Sequence, residues 1–201
     1  MEILNWDDFI ANEERKSFAA VIGVLDGVHR GHQALIKRIV NREEKSTVIT
    51  FRQNPKRALS CQDGQDITSL EEKLDIFEKM GVMRVILIDF SENFSRIEGR
   101  TFIETLLDRG LSFLAIGENF RCGRQRDIGA KDIRRVAAER GVETDIVRPV
   151  LLDGRRISSS MIREAIIQGD FALASIALGR EFMAAQKKQL SLVVAMNCSM
   201  W

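Results

Sequence analysis

Histidine is nearly missing from this 201-residue chain: only His29 and His32 occur. Any imidazole chemistry is therefore confined to one short stretch. Cysteine is also scarce. Cys61, Cys122 and Cys198 are odd in number, widely spaced and form no CxxC pair. That argues against a disulfide framework and a cysteine zinc site, and it fits a reducing, cytoplasmic setting. An excess of one charge is lacking as well, since 30 basic residues face 29 acidic ones for a net charge of +1. Such a chain has no long-range field for gripping a nucleic-acid backbone, so no nucleic-acid partner is expected and any basic patch is local. Long apolar runs are absent. The opening MEILNWDDF carries acidic residues and no apolar core, unlike a secretory signal, and Leu190–Met196 is too short to span a bilayer. No membrane partner is expected. There is no internal repeat and no low-complexity linker.

The hydrophobic fraction of 45% and charged fraction of 29% are those of an ordinary soluble globular protein. The length allows one large domain or two small ones. Short apolar runs at Phe18–Gly23, Thr47–Phe51, Val85–Ile88, Phe113–Gly117 and Asp145–Val147 read as strands. They lack polar alternation, as central strands buried on both faces do. Amphipathic stretches at Gln33–Glu43, Leu70–Lys79, Thr101–Asp108 and Lys131–Arg140 read as helices, and Gly81, Gly110 and Gly141 stand where C′ glycines belong. The alternation predicts an α/β fold: a Rossmann-like parallel sheet with right-handed crossovers and helices on both faces. Ligands of such sheets bind beyond the C-terminal strand ends. The segments there are Val24–His32, Arg52–Arg57, Asp89–Ser91, Glu118–Gly129 and Pro149–Ser160.

Both histidines fall in the first of these, VIGVLDGVHRGH, Val21 to His32. A strand ends at Gly23, Gly27 permits a turn, and a helix begins near His29–Gly31. Helix N-termini present free N–H groups and partial positive charge to anions. His29 and His32, at i and i+3, share a face, and Gly31 leaves room for a bulky anion. The arrangement suits phosphoryl or nucleotidyl chemistry. A lone histidine there would be a cap or a packed surface group. A metal pair is the other alternative, but helical metal histidines are often i, i+4 and need further ligands. A second element is Ser158-Ser159-Ser160 ahead of a helix over Met161–Gln168 that Gly169 closes, with Arg163 one turn in. Its hydroxyls either cap the helix or bind phosphate. A third is the loop Glu118–Gly123. There Gly117 and Gly123 allow close approach to a nucleotide, Asn119 offers a donor and an acceptor, and Arg121, Arg124 and Arg126 are either phosphate-facing or solvated.

Taken together these segments carry a family resemblance. VIGVLDGVHRGH resembles the GxFDGxHxGH signature of the bacterial FAD synthetase adenylyltransferase module, within the HxGH nucleotidyltransferase superfamily. ITSLEEKLDIFEKMGVMRVILIDF from Ile67, GENFRCGRQRDIGA from Gly117 and ISSSMIREAIIQGDFALASIALGR from Ile157 resemble its later segments in order, from about Phe18 to Arg180. The resemblance implies an FMN adenylyltransferase: FMN and ATP give FAD and pyrophosphate, with Mg²⁺, by direct attack and no covalent enzyme intermediate. It implies His29, His32 and Arg163 as catalytic residues. It implies ATP binding by Gly23, Val24, Leu25, Asp26, Gly27, His29, His32, Asn119, Arg156, Ser159, Ser160 and Arg163. FMN binding falls to Asn54, Pro55 and Arg121, and no protein side chain is expected to ligate a metal.

Departures from the pattern define the open alternatives. Leu25 stands for a usual Phe, Ser160 for Thr, Asn119 for Asp and Cys122 for an aromatic. Gln53-Asn54-Pro55 stands where the family reads PHP, on the flavin side. After Arg180, residues 181–201 form a short tail, with a strand-like run at Leu190–Val194, where the bacterial enzyme continues into a riboflavin kinase barrel. The expectation is therefore a nucleotidyltransferase domain over 1–180, a tail over 181–201, and no riboflavin kinase activity. The alternatives are a related nucleotidyltransferase with another phosphate acceptor, or a non-catalytic nucleotide- or flavin-binding relic.

Overall fold

The computed structural model describes residues 1–12, 15–55 and 66–182. The chain starts with β1 (Glu2–Asn5), α1 (Trp6–Ala11) and β2 (Phe18–Ile22), then a 3₁₀ turn at Asp26–Val28, α2 (Arg30–Val40) and β3 (Lys45–Phe51). Next come α3 (Leu70–Lys79), β4 (Arg84–Ile88), α4 (Glu92–Ser95), α5 (Gly99–Asp108) and β5 (Leu111–Gly117). The last third holds β6 (Arg121–Cys122), β7 (Ile128–Gly129), α6 (Ala130–Ala138), β8 (Glu143–Val147), β9 (Leu151–Leu152), β10 (Arg155–Arg156), α7 (Ser159–Ile167) and α8 (Phe171–Leu178). The five strands and four helices read from periodicity are all present, with Leu70–Lys79 unchanged and the other ends moved by at most three residues.

Six strands form one parallel sheet in the order β1-β4-β3-β2-β5-β8. The unalternating apolar runs explain it. Every residue of β2 and β4 is buried, because both faces are covered. Ala20, Ile22, Ile49, Ile86 and Ile116 pack under α1, α5 and α6 on one face. Ala19, Val21, Val48, Val85 and Ala115 pack under α2 and α3 on the other. The fold class is thus α/β, a Rossmann-like parallel sheet with helices on both faces. The first strand has no apolar run of its own. β1 is four residues long at the sheet edge and mostly exposed, so it carries little of the buried-strand pattern.

α7 and α8 pack on each other beyond the sheet in a separate apolar cluster with Ile67, Ile157 and Phe182. The Phe182 N–H donates to Ser175 Oγ at 3.1 Å, so the packed fold runs two residues past Arg180. The rest of the expected tail, 183–201, with its strand-like run, lies outside the described residues.

Glycine matters most at one close approach. Gly123 (φ 85°) lies against the start of α5, where a Cβ would come within 2.2 Å of the Gly99 nitrogen and 2.0 Å of Asp127 Oδ1. Asp127 accepts the Gly99 N–H with both carboxylate oxygens at 3.1 Å. Gly123 therefore serves packing of its loop on α5, a correction to the expectation that it admits a nucleotide. Gly81 has the same φ of 85° but only open space around it. Gly81→Ala should cost the left-handed penalty alone, about 1–2 kcal/mol. Gly123→Ala should cost more, because steric overlap adds to it. Urea denaturation of both variants measures the difference.

Candidate functional site

Strand order reverses between β2 and β5. The loops after these two strands therefore diverge and open a crevice at the C-terminal sheet edge. The β2 loop is tightly wound: Leu25, Gly27 and Val28 have φ of 52°, 80° and 38°. Such angles disfavour L side chains, above all the branched Val28, and persist where surroundings over-determine them. Here Leu25 and Val28 are buried in the core. The loop carbonyls are claimed by donors from three elements and from Arg180, just past α8. Thr50 Oγ1 donates to Val24 O at 3.0 Å, and Lys73 Nζ donates to Val24 O and Phe51 O at 3.3 Å. Arg180 Nη2 donates to Gly27 O at 2.8 Å, and Gln33 Nε2 bridges Val28 O and Leu178 O at 2.9 and 2.8 Å.

His29 then caps α2, and its Nδ1 accepts the His32 N–H at 3.3 Å. A neutral imidazole accepting at Nδ1 carries its proton on Nε2, so Nε2–H is the donor left for a ligand. The His32 ring stacks on it with centroids 3.6 Å apart and 19° between planes. Gly31 makes room for this: a Cβ there would sit 3.0 Å from His29 Cε1. His32 Nδ1 is buried with no hydrogen-bond partner among the described residues. Burial, then the guanidiniums of Arg156 and Arg180, pull His29 down to about 4. Burial, then His29, Lys73 and Arg156, hold His32 well below the usual imidazole range. Both rings are neutral at pH 7 within a basic surround.

The second helix start meets the first. Ser158 is the N-cap of α7, its hydroxyl accepting the Met161 N–H at 3.2 Å. The helix thus begins at Ser159, two residues before the expected Met161. Ser159 Oγ donates to Asp26 O at 2.9 Å. Arg163, on the next turn, forms an ion pair with the Asp26 carboxylate. Asp26 is only 4% exposed. Its Oδ1 accepts the N–H groups of Ile67 and Thr68 at 2.8 and 3.4 Å, while Thr68 Oγ1 accepts the Gly27 N–H at 3.1 Å. Burial raises the Asp26 carboxyl, with Arg163 opposing.

The remaining expected residues are distributed around this centre. The Gly23 N–H is used in the sheet, donating to Ile49 O at 3.1 Å. Arg156 is exposed on β10 and close enough to act on both imidazoles. Ser160 is exposed on the first turn of α7, and Asn119 is exposed just after β5. Arg121 turns back into its own loop, donating to Arg126 O at 2.9 Å and Asp127 O at 3.4 Å. Arg124 pairs with Glu98 at 3.6 Å. Asn54 is buried and donates to Asp66 Oδ1 at 3.1 Å, with half-buried Pro55 next to it. Gln53, Asn54, Asp89, Phe90 and Ser91 line a cleft of about 210 Å³ past β3 and β4. Lys73 and Arg180 are site residues that motif reading passed over. A signal for Lys73 was present: it occupies the i+3 position of the apolar stripe Leu70, Leu74, Phe77. Among the described residues no three His, Cys, Asp or Glu side chains gather to hold a metal ion, and no helix is long and apolar enough to cross a membrane. The basic donor set fits a divalent ion that arrives on polyphosphate oxygens.

Two helix N-termini, a stacked HxGH pair and a parallel sheet meeting at its switch point define a nucleotidyltransferase of the α/β class. The FAD synthetase family model matches residues 11–161. The chain therefore belongs to the FAD synthetase family. A relative from Geobacillus thermodenitrificans (strain NG80-2), provisionally named a bifunctional riboflavin kinase/FMN adenylyltransferase, is 32% identical over 79% of this chain and 87% of its own. The bifunctional riboflavin kinase/FMN adenylyltransferase of Pseudomonas fluorescens is 31% identical over 86% of this chain, and that of Escherichia coli (strain K12) 29% over 90%. The chain spans 57% and 60% of those two proteins' lengths. A Streptococcus pneumoniae crystal structure described as a macrolide-efflux protein superposes with a TM-score of 0.78 at 25% identity, over 90% of this chain and 60% of that one. Pantoate-beta-alanine ligase from Francisella tularensis shares the fold, with a TM-score of 0.54 at 15% identity over 89% of this chain and 85% of that one.

The His29 shift gives a pH prediction. A histidine held down to about 4 in the fold and near 6.5 in the unfolded chain favours folding fully above pH 6.5. That contribution, about 3 kcal/mol by linkage, is lost as pH falls from 6.5 toward 4. His29→Asn keeps a capping side chain and should flatten the decline. Urea midpoints of both proteins from pH 7 to 4.5 measure it.

Proposed function

We propose that the protein is an FMN adenylyltransferase that transfers AMP from ATP to FMN. A phosphate oxygen of FMN attacks the ATP α-phosphorus in line. The new P–O bond forms as the α–β bridging bond breaks, and pyrophosphate leaves with the bond electrons. No enzyme nucleophile is needed, so catalysis consists of positioning and charge stabilisation. The observation that carries the reading is the stacked pair of neutral imidazoles, held at one helix start beside the Ser159–Arg163 start of another.

In this reading the α2 N-terminus, His29 Nε2–H and His32 receive the ATP phosphates, and Ser160, Arg156 and Arg163 receive them from the other side. Asn119 meets the nucleoside. Mg²⁺, carried on the phosphates, would neutralise charge on the departing pyrophosphate. Neutral imidazoles suit this task because approaching polyphosphate charge favours their protonated form, and a ring that takes up a proton becomes the stronger N–H donor. The acceptor side is the cleft beyond β3 and β4, with Asn54 and Pro55 at its edge and Arg121 nearer the β5 loop. FMN itself, rather than riboflavin, is the substrate of these residues. The cytoplasm, where unpaired cysteines stay reduced, is the proposed compartment.

The Gln53-Asn54-Pro55 sequence favours one second reading, a nucleotidyltransferase with another phosphate acceptor. Purified protein with Mg²⁺-ATP and FMN should yield FAD and pyrophosphate by chromatography. Pyrophosphate release only with a different acceptor would favour the second reading, and nucleotide binding without turnover would favour a binding relic. His29→Ala and His32→Ala should each lower FAD formation about 10²- to 10³-fold, the cost of one well-aimed transition-state donor. Their circular dichroism should stay native. Undiminished turnover in both would sink the mechanism.

A further inference from the structure

Asp26 has a role that the phosphate-cradle reading of its motif does not contain. The carboxylate faces the interior and is spoken for on both oxygens. One side holds Arg163 of α7; the other holds the Ile67 and Thr68 backbone just before α3. The same residue's carbonyl takes Ser159 Oγ, and the next residue's N–H goes to Thr68 Oγ1. From Ile67 the chain leads back by one residue to Asp66, which accepts from Asn54 at the edge of the β3–β4 cleft. A route of hydrogen bonds joined by the Asp66–Ile67 peptide link therefore runs from Arg163, on the nucleotide side, through Asp26 to Asn54, on the acceptor side. A buried carboxylate of this kind is strongly dependent on its partners, because the charge lacks water to fall back on.

We propose that Asp26 is a positioning residue that couples the two substrate sides, rather than a nucleotide contact. A polyphosphate drawing on the Arg163 guanidinium weakens its hold on Asp26. The carboxylate then leans more heavily on the Ile67 and Thr68 N–H groups and tightens the segment that holds Asn54. Occupancy on one side thereby alters affinity on the other, and the effect is reciprocal. The inference rests on the proposed function for the identity of the acceptor, but the hydrogen-bond route itself does not.

Two measurements test it. In ¹⁵N-labelled wild type, a Mg²⁺-bound nonhydrolysable ATP analogue should shift the Ile67 and Thr68 amide resonances and slow their hydrogen exchange. In Asp26→Asn the analogue should still bind but leave both amides unmoved. By calorimetry, the saturating analogue should change the FMN Kd of wild type by about fivefold or more, and that of Asp26→Asn by less than about twofold. Asn retains an acceptor for the two N–H groups, so a purely structural role would leave the coupling intact. Unresponsive amides in wild type, or undiminished coupling in Asp26→Asn, overturns the proposal. Should Asp26→Asn not fold, the wild-type amide response to the analogue alone decides the proposal. The amide response needs only the nucleotide, so it is read whether or not FMN proves to be the acceptor, whereas FAD formation by wild type tests the proposed function alone.

Discussion

The buried charge of Asp26 constrains the rest of the site. A carboxylate with so little exposure needs compensation for lost water, and it draws that from two backbone N–H groups and one guanidinium. Those partners belong to segments far apart in the chain. Satisfying one side chain therefore sets the positions of the segment before α3 and of α7 relative to the β2 loop. The left-handed turns at Leu25 and Val28 are tolerated within this frame, because Thr50, Lys73, Gln33 and Arg180 hold the loop carbonyls from every side.

The frame also explains the electrostatics. Arg156, Arg180, Arg163 and Lys73 gather where two helices begin, and the histidines between them stay neutral. Such a region is deficient in negative charge. That deficit is what the proposed binding of a polyphosphate would draw on. Membership in the FAD synthetase family gives this region its natural ligand class.

Much of the scaffold was legible because its causes are local. Unbroken apolar runs marked buried strands, Leu70, Leu74 and Phe77 marked a helix face, and the histidine spacing marked a helix start. β1 was not legible, since an exposed four-residue edge strand leaves almost no pattern. The α7 start was placed two residues late because three successive serines each qualify as a cap, and only packing against Asp26 O and Met161 N–H chooses Ser158. Gly123 was misread for a related reason. A glycine signals close approach without saying to what, and here the neighbour is Gly99.

By itself the sequence determined the alternation of elements, the strand ends at which a ligand would bind, and the residue types able to meet a phosphate. These follow from periodicity and from chemistry carried within a dozen residues. Tertiary structure alone decided which of those groups stay exposed and which are consumed in holding the site together. Asp26 and Arg163 lie 137 residues apart, yet they meet as an ion pair. Lys73, hidden in an apolar stripe, reaches the ends of two strands. Pairings of that kind depend on how helices dock across a sheet, where burial forces each polar group to find a partner that no local pattern names.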